Sequence, residues 1–212
     1  MKIVNLFILD KSGSMLNIKD TIISGFNEQI QSIKKLDEDN KTESLFGFIV
    51  FDTQVGIKYL NQPINIAEEL TATSYRPNGG TAFYDALAKG IKALEDKLGS
   101  ELSTAKVLIT ALTDGEENAS TEFTGSQVAD LIKQFQDDYN WTFSFIGANI
   151  DVEKLAKSLN VSTSNTLNFA YSAEGAKTAN DTLISARQAY YSKSLNGEDT
   201  QTSFFSEDTQ KS

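Results

Sequence analysis

Two rhythms of apolar residues alternate along this chain. Short, mostly apolar runs at 3–9, 45–51, 55–60, 106–112 and 141–147 are too short for core helices and fit strands of a covered sheet. Between them lie stretches of helical period. Residues 18–36 place Ile18, Ile22, Phe26, Ile30, Ile33 and Leu36 at three- and four-residue spacing, and 81–98 place Phe83, Leu87, Ile91, Leu94 and Leu98 on one side, with Gly99 as a stop. Further helices are predicted at 124–137, 151–159 and 173–193, and a weak strand near 166–170. Only Asp52-Thr53-Gln54 separates 45–51 from 55–60, a gap that permits a hairpin but no crossover, so one edge strand runs antiparallel. Residues 61–80 hold both prolines, Pro63 and Pro77, and end in Asn78-Gly79-Gly80; they read as a loop with a short helical turn at 66–70. The order predicts a doubly wound α/β fold: a mostly parallel six-stranded sheet with one antiparallel edge strand and helices on both faces. Residues 1–193 form its single domain, and the polar residues 194–212 are expected to be a flexible tail without a core.

Composition narrows the chemistry. With 19 Lys and Arg against 29 Asp and Glu, the net charge of −10 disfavours nucleic acid as a partner. The chain has no Cys and no His, which excludes disulfides, thiolate zinc sites, cysteine nucleophiles and Ser-His-Asp triads. The apolar start is too short for a signal segment and no run approaches ~18 apolar residues, so no membrane association and a cytoplasmic location are expected.

Three features fall at strand-to-helix junctions or at a helix entry: Asp10-x-Ser12-x-Ser14 after the first strand, Gly80-Thr81 at the entry to helix 81–98, and Thr113-Asp114-Gly115 after strand 106–112. In an open α/β sheet the carboxyl ends of the strands share one edge, where ligands bind at the reversal of strand order. Carboxylate and hydroxyl oxygens suit hard cations such as Mg2+, Mn2+ and Ca2+. The alternate spacing of Asp10, Ser12 and Ser14 can aim three oxygens to one side, with Gly13 expected to relieve crowding between the serines. Each piece has a plainer reading beside it: a polar turn before helix 18–36 for the serines, an N-cap for Thr81, an ordinary turn for Asp114-Gly115.

Taken together, Asp10, Ser12, Ser14, Thr81 and Asp114 resemble the metal-ion-dependent adhesion site (MIDAS) of the von Willebrand factor type A (VWA) family, whose pattern is Asp-x-Ser-x-Ser, a distant Thr and a more distant Asp. Phe7-Ile8-Leu9, Gly79-Gly80-Thr81 and Leu112-Thr113-Asp114-Gly115 extend the likeness, and the element order agrees from residue 3 to about 190. The resemblance implies a divalent metal, Mg2+ first with Mn2+ or Ca2+ as alternatives. Ser12 and Ser14 would bind it directly, Thr81 directly or through water, and Asp10 and Asp114 through water. It also implies a non-catalytic module that captures an exposed Asp or Glu of a protein partner, in a role such as subunit or adaptor of a larger intracellular complex. A shift of helix 173–193 between two states is a further implication. A Mg2+-dependent phosphoryl-transfer enzyme is the alternative, but the aspartate-nucleophile pattern wants an acid where Ser12 stands, and no Gly-x-x-x-x-Gly-Lys-Ser/Thr occurs.

Around the site, Asp52 is expected to cap the hairpin and Glu116, Glu117 and Asn118 to form a solvated loop. Tyr75, Arg76 and Tyr84 could offer partner-binding area, while Phe83 belongs in the core. Tyr190, Tyr191, Phe204 and Phe205 could either pack back on the domain or dock elsewhere.

Overall fold

The computed structural model describes residues 2–205. Strands β1 (Ile3–Asp10), β2 (Ser44–Phe51), β3 (Val55–Pro63), β4 (Lys106–Thr113), β5 (Thr142–Gly147) and β6 (Thr166–Asn168) form one sheet in the order β3-β2-β1-β4-β5-β6. Every pairing is parallel except β2 with β3, the hairpin that three intervening residues dictate. Strand order reverses at β1, which lies between β2 and β4, so the crevice beyond β1 and β4 is where this topology leaves room for a ligand.

Helices α1 (Lys19–Asn40) and α5 (Ala173–Asn196) share a core with one face of the sheet, and α2 (Phe83–Leu98), α3 (Gly125–Tyr139) and α4 (Val152–Ser158) share one with the other. Strand β1 shows the division: Phe7 and Leu9 join the α1/α5 core, and Val4, Leu6 and Ile8 the α2/α3 core, as period-two alternation requires. Both cores are continuous along β1, so the end of that strand is held rigidly from two sides. Among the described residues no helix is long and apolar enough to cross a membrane.

Three boundaries move. Strand β3 continues to Pro63, with a 3-10 turn at Ile64–Ile66 in place of the expected helical turn at 66–70. Helix α2 starts at Phe83 rather than Thr81, because the chain before it is tied to other loops. The segment expected to be a coreless tail from 194 is packed as far as it is described: α5 runs to Asn196 and closes on Gly197 in the left-handed conformation. Thr142 Oγ1 then donates to Thr200 O (2.9 Å), the Asn165 side chain bonds both Gln201 O and Phe204 N, and Phe204 lies edge-on to Tyr190. Phe204, Phe205, Tyr190 and Tyr191 are all buried, which answers the alternative left open for them; their apolar area outweighs the polar sequence around them. The remainder of that segment, 206–212, lies outside the described residues.

Candidate metal centre

Strand β1 delivers Asp10 to the carboxyl edge of the sheet, in line with Val4, Leu6 and Ile8 on the α2/α3 side, and the side chain is fully buried. Its Oδ1 accepts the Ser12 N–H (2.6 Å) and its Oδ2 the Thr113 hydroxyl at the end of β4 (2.5 Å). The first bond folds residues 11–13 back over the strand end, and a 3-10 turn at Gly13–Ile18 then leads into α1. Ser12 Oγ and Ser14 Oγ are 3.1 Å apart, and the Ser14 hydroxyl donates to Asp114 Oδ1 at 2.6 Å. Thr81 is buried, and its hydroxyl reaches the same place: a Cβ built on Gly115 would lie 3.0 Å from Thr81 Oγ1 and 3.7 Å from Ser14 Oγ. All five predicted residues therefore come together from three loops.

The electrostatics are lopsided. Burial pushes Asp10 up to about 6 against the opposing hydrogen bonds from Thr113 and Ser12, with the neighbouring Asp114 carboxylate adding to the rise. Asp114 is raised as well, by desolvation. Neither carboxylate makes an ion pair among the described residues; Lys11, next in sequence to Asp10, turns its ammonium 2.6 Å from Asp52. Asp114 Oδ2 is buried without a hydrogen-bond partner among the described residues. Orphaned buried acceptors are rare, and one on a carboxylate beside a second carboxylate is chemically open to a cation. The donor set fits a hard divalent ion: two carboxylates, three hydroxyls, no nitrogen and no sulfur. Among the described residues there is no group of three or more His, Cys, Asp or Glu that could hold a metal, so a site here must draw on hydroxyls.

The loops are knitted to one another. Gly13 N–H donates to Gly79 O (3.1 Å) and Asn78 N–H to Lys11 O (2.9 Å), joining the loops after β1 and before α2. Gly79 has φ +77°, and a Cβ there would meet Thr53 Oγ1 at 2.8 Å, so this position requires glycine. Gly13 does not: its φ is not positive, and an added Cβ would only touch Gly79 O at an ordinary 3.6 Å. Tyr75, expected as partner-facing area, is fully buried beneath the site and donates its hydroxyl to Asp10 O (2.6 Å). Arg76 is exposed, Tyr84 half-buried and Phe83 in the core. Asp52 accepts the Gln54 N–H, the capping role expected of it.

Sequence reasoning missed Tyr75, Tyr171 and the loop 117–120. Tyr171 precedes α5 and donates its hydroxyl to Ser14 O, at the rim of the cluster. No local spacing marks it. Glu117, half-buried, and Asn118, exposed as expected, also serve as hydrogen-bonding anchors, and their adjacency to Asp114 was the available signal.

No family model and no curated protein matches the sequence. Solved structures do match. One of proximal thread matrix protein 1 from the mussel byssus is 12% identical with a TM-score of 0.62, over 88% of this chain and 46% of that one. A von Willebrand factor type A protein from Catenulispora acidiphila is 17% identical with a TM-score of 0.56, over 89% and 42%. The open conformation of the pilus adhesin SpaC from Lactobacillus rhamnosus GG is 17% identical with a TM-score of 0.66, over 92% and 30%. The chain thus spans less than half the length of each of these structures. Another structure of the mussel protein is described as having a zinc-occupied MIDAS motif. Sheet order, the single antiparallel edge strand and these likenesses agree: this chain has the von Willebrand factor type A fold.

Proposed function

We propose that this chain is a cation-dependent protein-binding module without catalytic activity of its own. The observation that carries the reading is Asp114 Oδ2, buried and unpartnered in a cluster that already contains a second buried carboxylate and no ion pair. Ser12, Ser14 and Thr81, with Asp10 and Asp114, would hold Mg2+, with Mn2+ or Ca2+ as alternatives, and the ion when bound supplies an electrophilic position for a partner's Asp or Glu carboxylate. The protein's part is to fix the oxygens. Asp10 is set by Thr113 and by the Ser12 amide, and the Ser14 hydroxyl is held on Asp114 Oδ1 beside Ser12 Oγ. The zinc-occupied motif of the structurally similar mussel protein supports a divalent ion in this fold. A subunit or adaptor role suits a chain that has no His or Cys for acid-base or nucleophilic work.

Calorimetric titration of Mg2+ and Mn2+ into the full chain tests the site, followed by binding of a capped Glu-containing peptide with and without chelator. Cation affinity should fall about tenfold to a hundredfold in Asp10→Ala or Ser12→Ala, with the circular dichroism spectrum kept, and the peptide should bind only with the cation present. Peptide binding that persists in chelator, or in either variant, ends this reading.

A further inference from the structure

Helix α2 begins without a side-chain cap of its own, since its N-cap residue is Ala82. The loop after Asp114 supplies the missing acceptors. Glu117 Oε2 accepts the Tyr84 N–H (2.9 Å) and Ser120 Oγ accepts the Asp85 N–H (3.0 Å), so two of the orphan donors of the first turn are capped from a different loop. Glu117 is itself held by Ala119 N, Ser120 N and the Ser120 hydroxyl, at 2.7–2.9 Å. Asp85 returns the favour from α2, accepting the backbone N–H groups of Thr121, Glu122 and Phe123.

Within this lattice Asn118 reads both backbone polar groups of Thr81: its Oδ1 accepts the Thr81 N–H (2.9 Å) and its own N–H donates to Thr81 O (3.1 Å). Its Nδ2 donates to Glu116 O, which fixes the orientation of the amide. The fit is close on the other side too, because a Cβ at Gly80 would lie 2.7 Å from Asn118 Oδ1. Thr81 is therefore placed by the Asp114 loop and not by the helix it precedes.

We propose that Asn118, braced by Glu117, is a positioning residue for the cation site, holding the Thr81 hydroxyl and the Asp114 turn as one body. This rests on the cation-binding reading above and adds that the spacing of Thr81 from Asp114, and with it the preference among cations, is set by side chains that touch no ion. The chemistry of the cations supplies the readout. Mg2+ demands near-ideal octahedral geometry at short distances, whereas Ca2+ accepts longer and looser arrangements. Freeing Thr81 therefore penalises Mg2+ more than Ca2+.

The experiment titrates Mg2+ and, separately, Ca2+ into the full chain by calorimetry, for wild type, Asn118→Ala, Asn118→Asp and Gly80→Ala, with thermal melts of each in chelator. Asn118→Ala leaves the buried Thr81 N–H without an acceptor and should weaken Mg2+ binding about tenfold, and Ca2+ binding less. Gly80→Ala, which deletes nothing but displaces Oδ1, should do the same. Asn118→Asp keeps the acceptor for the Thr81 N–H but loses the donor to Glu116 O, and should retain more Mg2+ affinity than Asn118→Ala. Equal losses for both cations that track a lower melting temperature would mean a merely structural role and overturn the proposal. So would Mg2+ affinities in Asn118→Ala and Gly80→Ala that match wild type. A wild-type chain that binds neither cation overturns the cation-binding reading itself, and this proposal with it.

Discussion

On the α1/α5 face of the sheet a full positive charge, Arg187, is buried with 0% exposure among neutral acceptors: Asn5 Oδ1 on β1, Gln29 Oε1 on α1 and Thr110 Oγ1 on β4, with its guanidinium 4.6 Å from the centre of the Phe7 ring. On the opposite face the row Val4, Leu6, Ile8 ends in Asp10, an equally buried carboxylate whose only donors are an amide and a hydroxyl. Neither charge has an ion-pair partner among the described residues. They differ in closure. Arg187 sits at mid-sheet, and its acceptors are themselves tied down, Asn5 by Tyr191 and Gln29 by Asn180, so the network is complete within the protein. Burial lowers it to about 10, which leaves it charged at neutral pH. Asp10 sits at the sheet edge beside Asp114, whose Oδ2 meets no hydrogen-bond geometry among the described residues. Neutral donors can thus settle one buried charge where the surroundings are closed, while two adjacent carboxylates at an open edge remain an excess for a ligand to offset.

Removing the charges should therefore have opposite signs, and the larger effect belongs to Arg187. Arg187→Ala strips donors from three buried acceptors and opens a cavity, which should destabilise the domain by about 3–5 kcal/mol in chemical denaturation. Arg187→Met fills the space and removes the desolvated charge, leaving mainly the unpaired amide oxygens of Asn5 and Gln29, so about 1–2 kcal/mol is expected. Equal losses for the two variants would show that filled volume contributes little and that the lost hydrogen bonds carry the whole effect. Because Arg187 links α5 to β1, α1 and β4 at once, the same bonds oppose the axial shift that the VWA resemblance implies for residues 173–193.

At the other charge the sign reverses. Asp10 is raised to about 6 in the folded chain against an ordinary 3.8, so the folded state binds more protons than the unfolded one between those values. Cation-free stability should accordingly be fully present below about pH 4 and be lost as pH rises through about 6, by up to about 3 kcal/mol from this group. Asp10→Asn removes that loss, and at pH 7 in chelator it should be more stable than wild type by about 1–3 kcal/mol. Added Mg2+ should erase the difference by stabilising only the wild type, more at pH 7 than at pH 5, where protons compete. Melts across pH with and without cation decide it; a variant less stable than wild type in chelator at pH 7 would mean that Asp10 is already satisfied.

How much of this contrast could be read in advance follows from where each signal lies. The strands and helices were legible because buried parallel strands are continuous apolar runs and the helices repeat at 3.6, and the five site residues because they sit at strand and helix ends in a spaced pattern. Arg187 was hidden by its type, although it falls on the buried stripe Ala176, Ala179, Leu183, Ala186, Tyr190 of α5. Tyr75 was read as surface because aromatic residues in loops favour interfaces, yet the loop folds under the site and its hydroxyl finds Asp10 O. The packing of 200–205 depends on Thr142, Ser164 and Asn165, partners at least 36 positions away, which a local reading of polar residues cannot supply.

The smallest expected effect tests whether a nearby cation already neutralises Asp10. Lys11 is its neighbour in sequence, the first residue beyond β1, but its Nζ is bonded to Asp52 Oδ2 at the mouth of the hairpin. Both partners are partly exposed, so the pair is screened and contributes under about 1 kcal/mol. Lys11→Met should lower stability by no more than that in denaturant titrations and leave the pH at which cation-free stability falls unchanged. A shift of that transition to higher pH in Lys11→Met would mean that the ammonium does stabilise the Asp10 carboxylate. The site would then carry less excess negative charge, and the contrast between the two buried charges would shrink to a difference of depth.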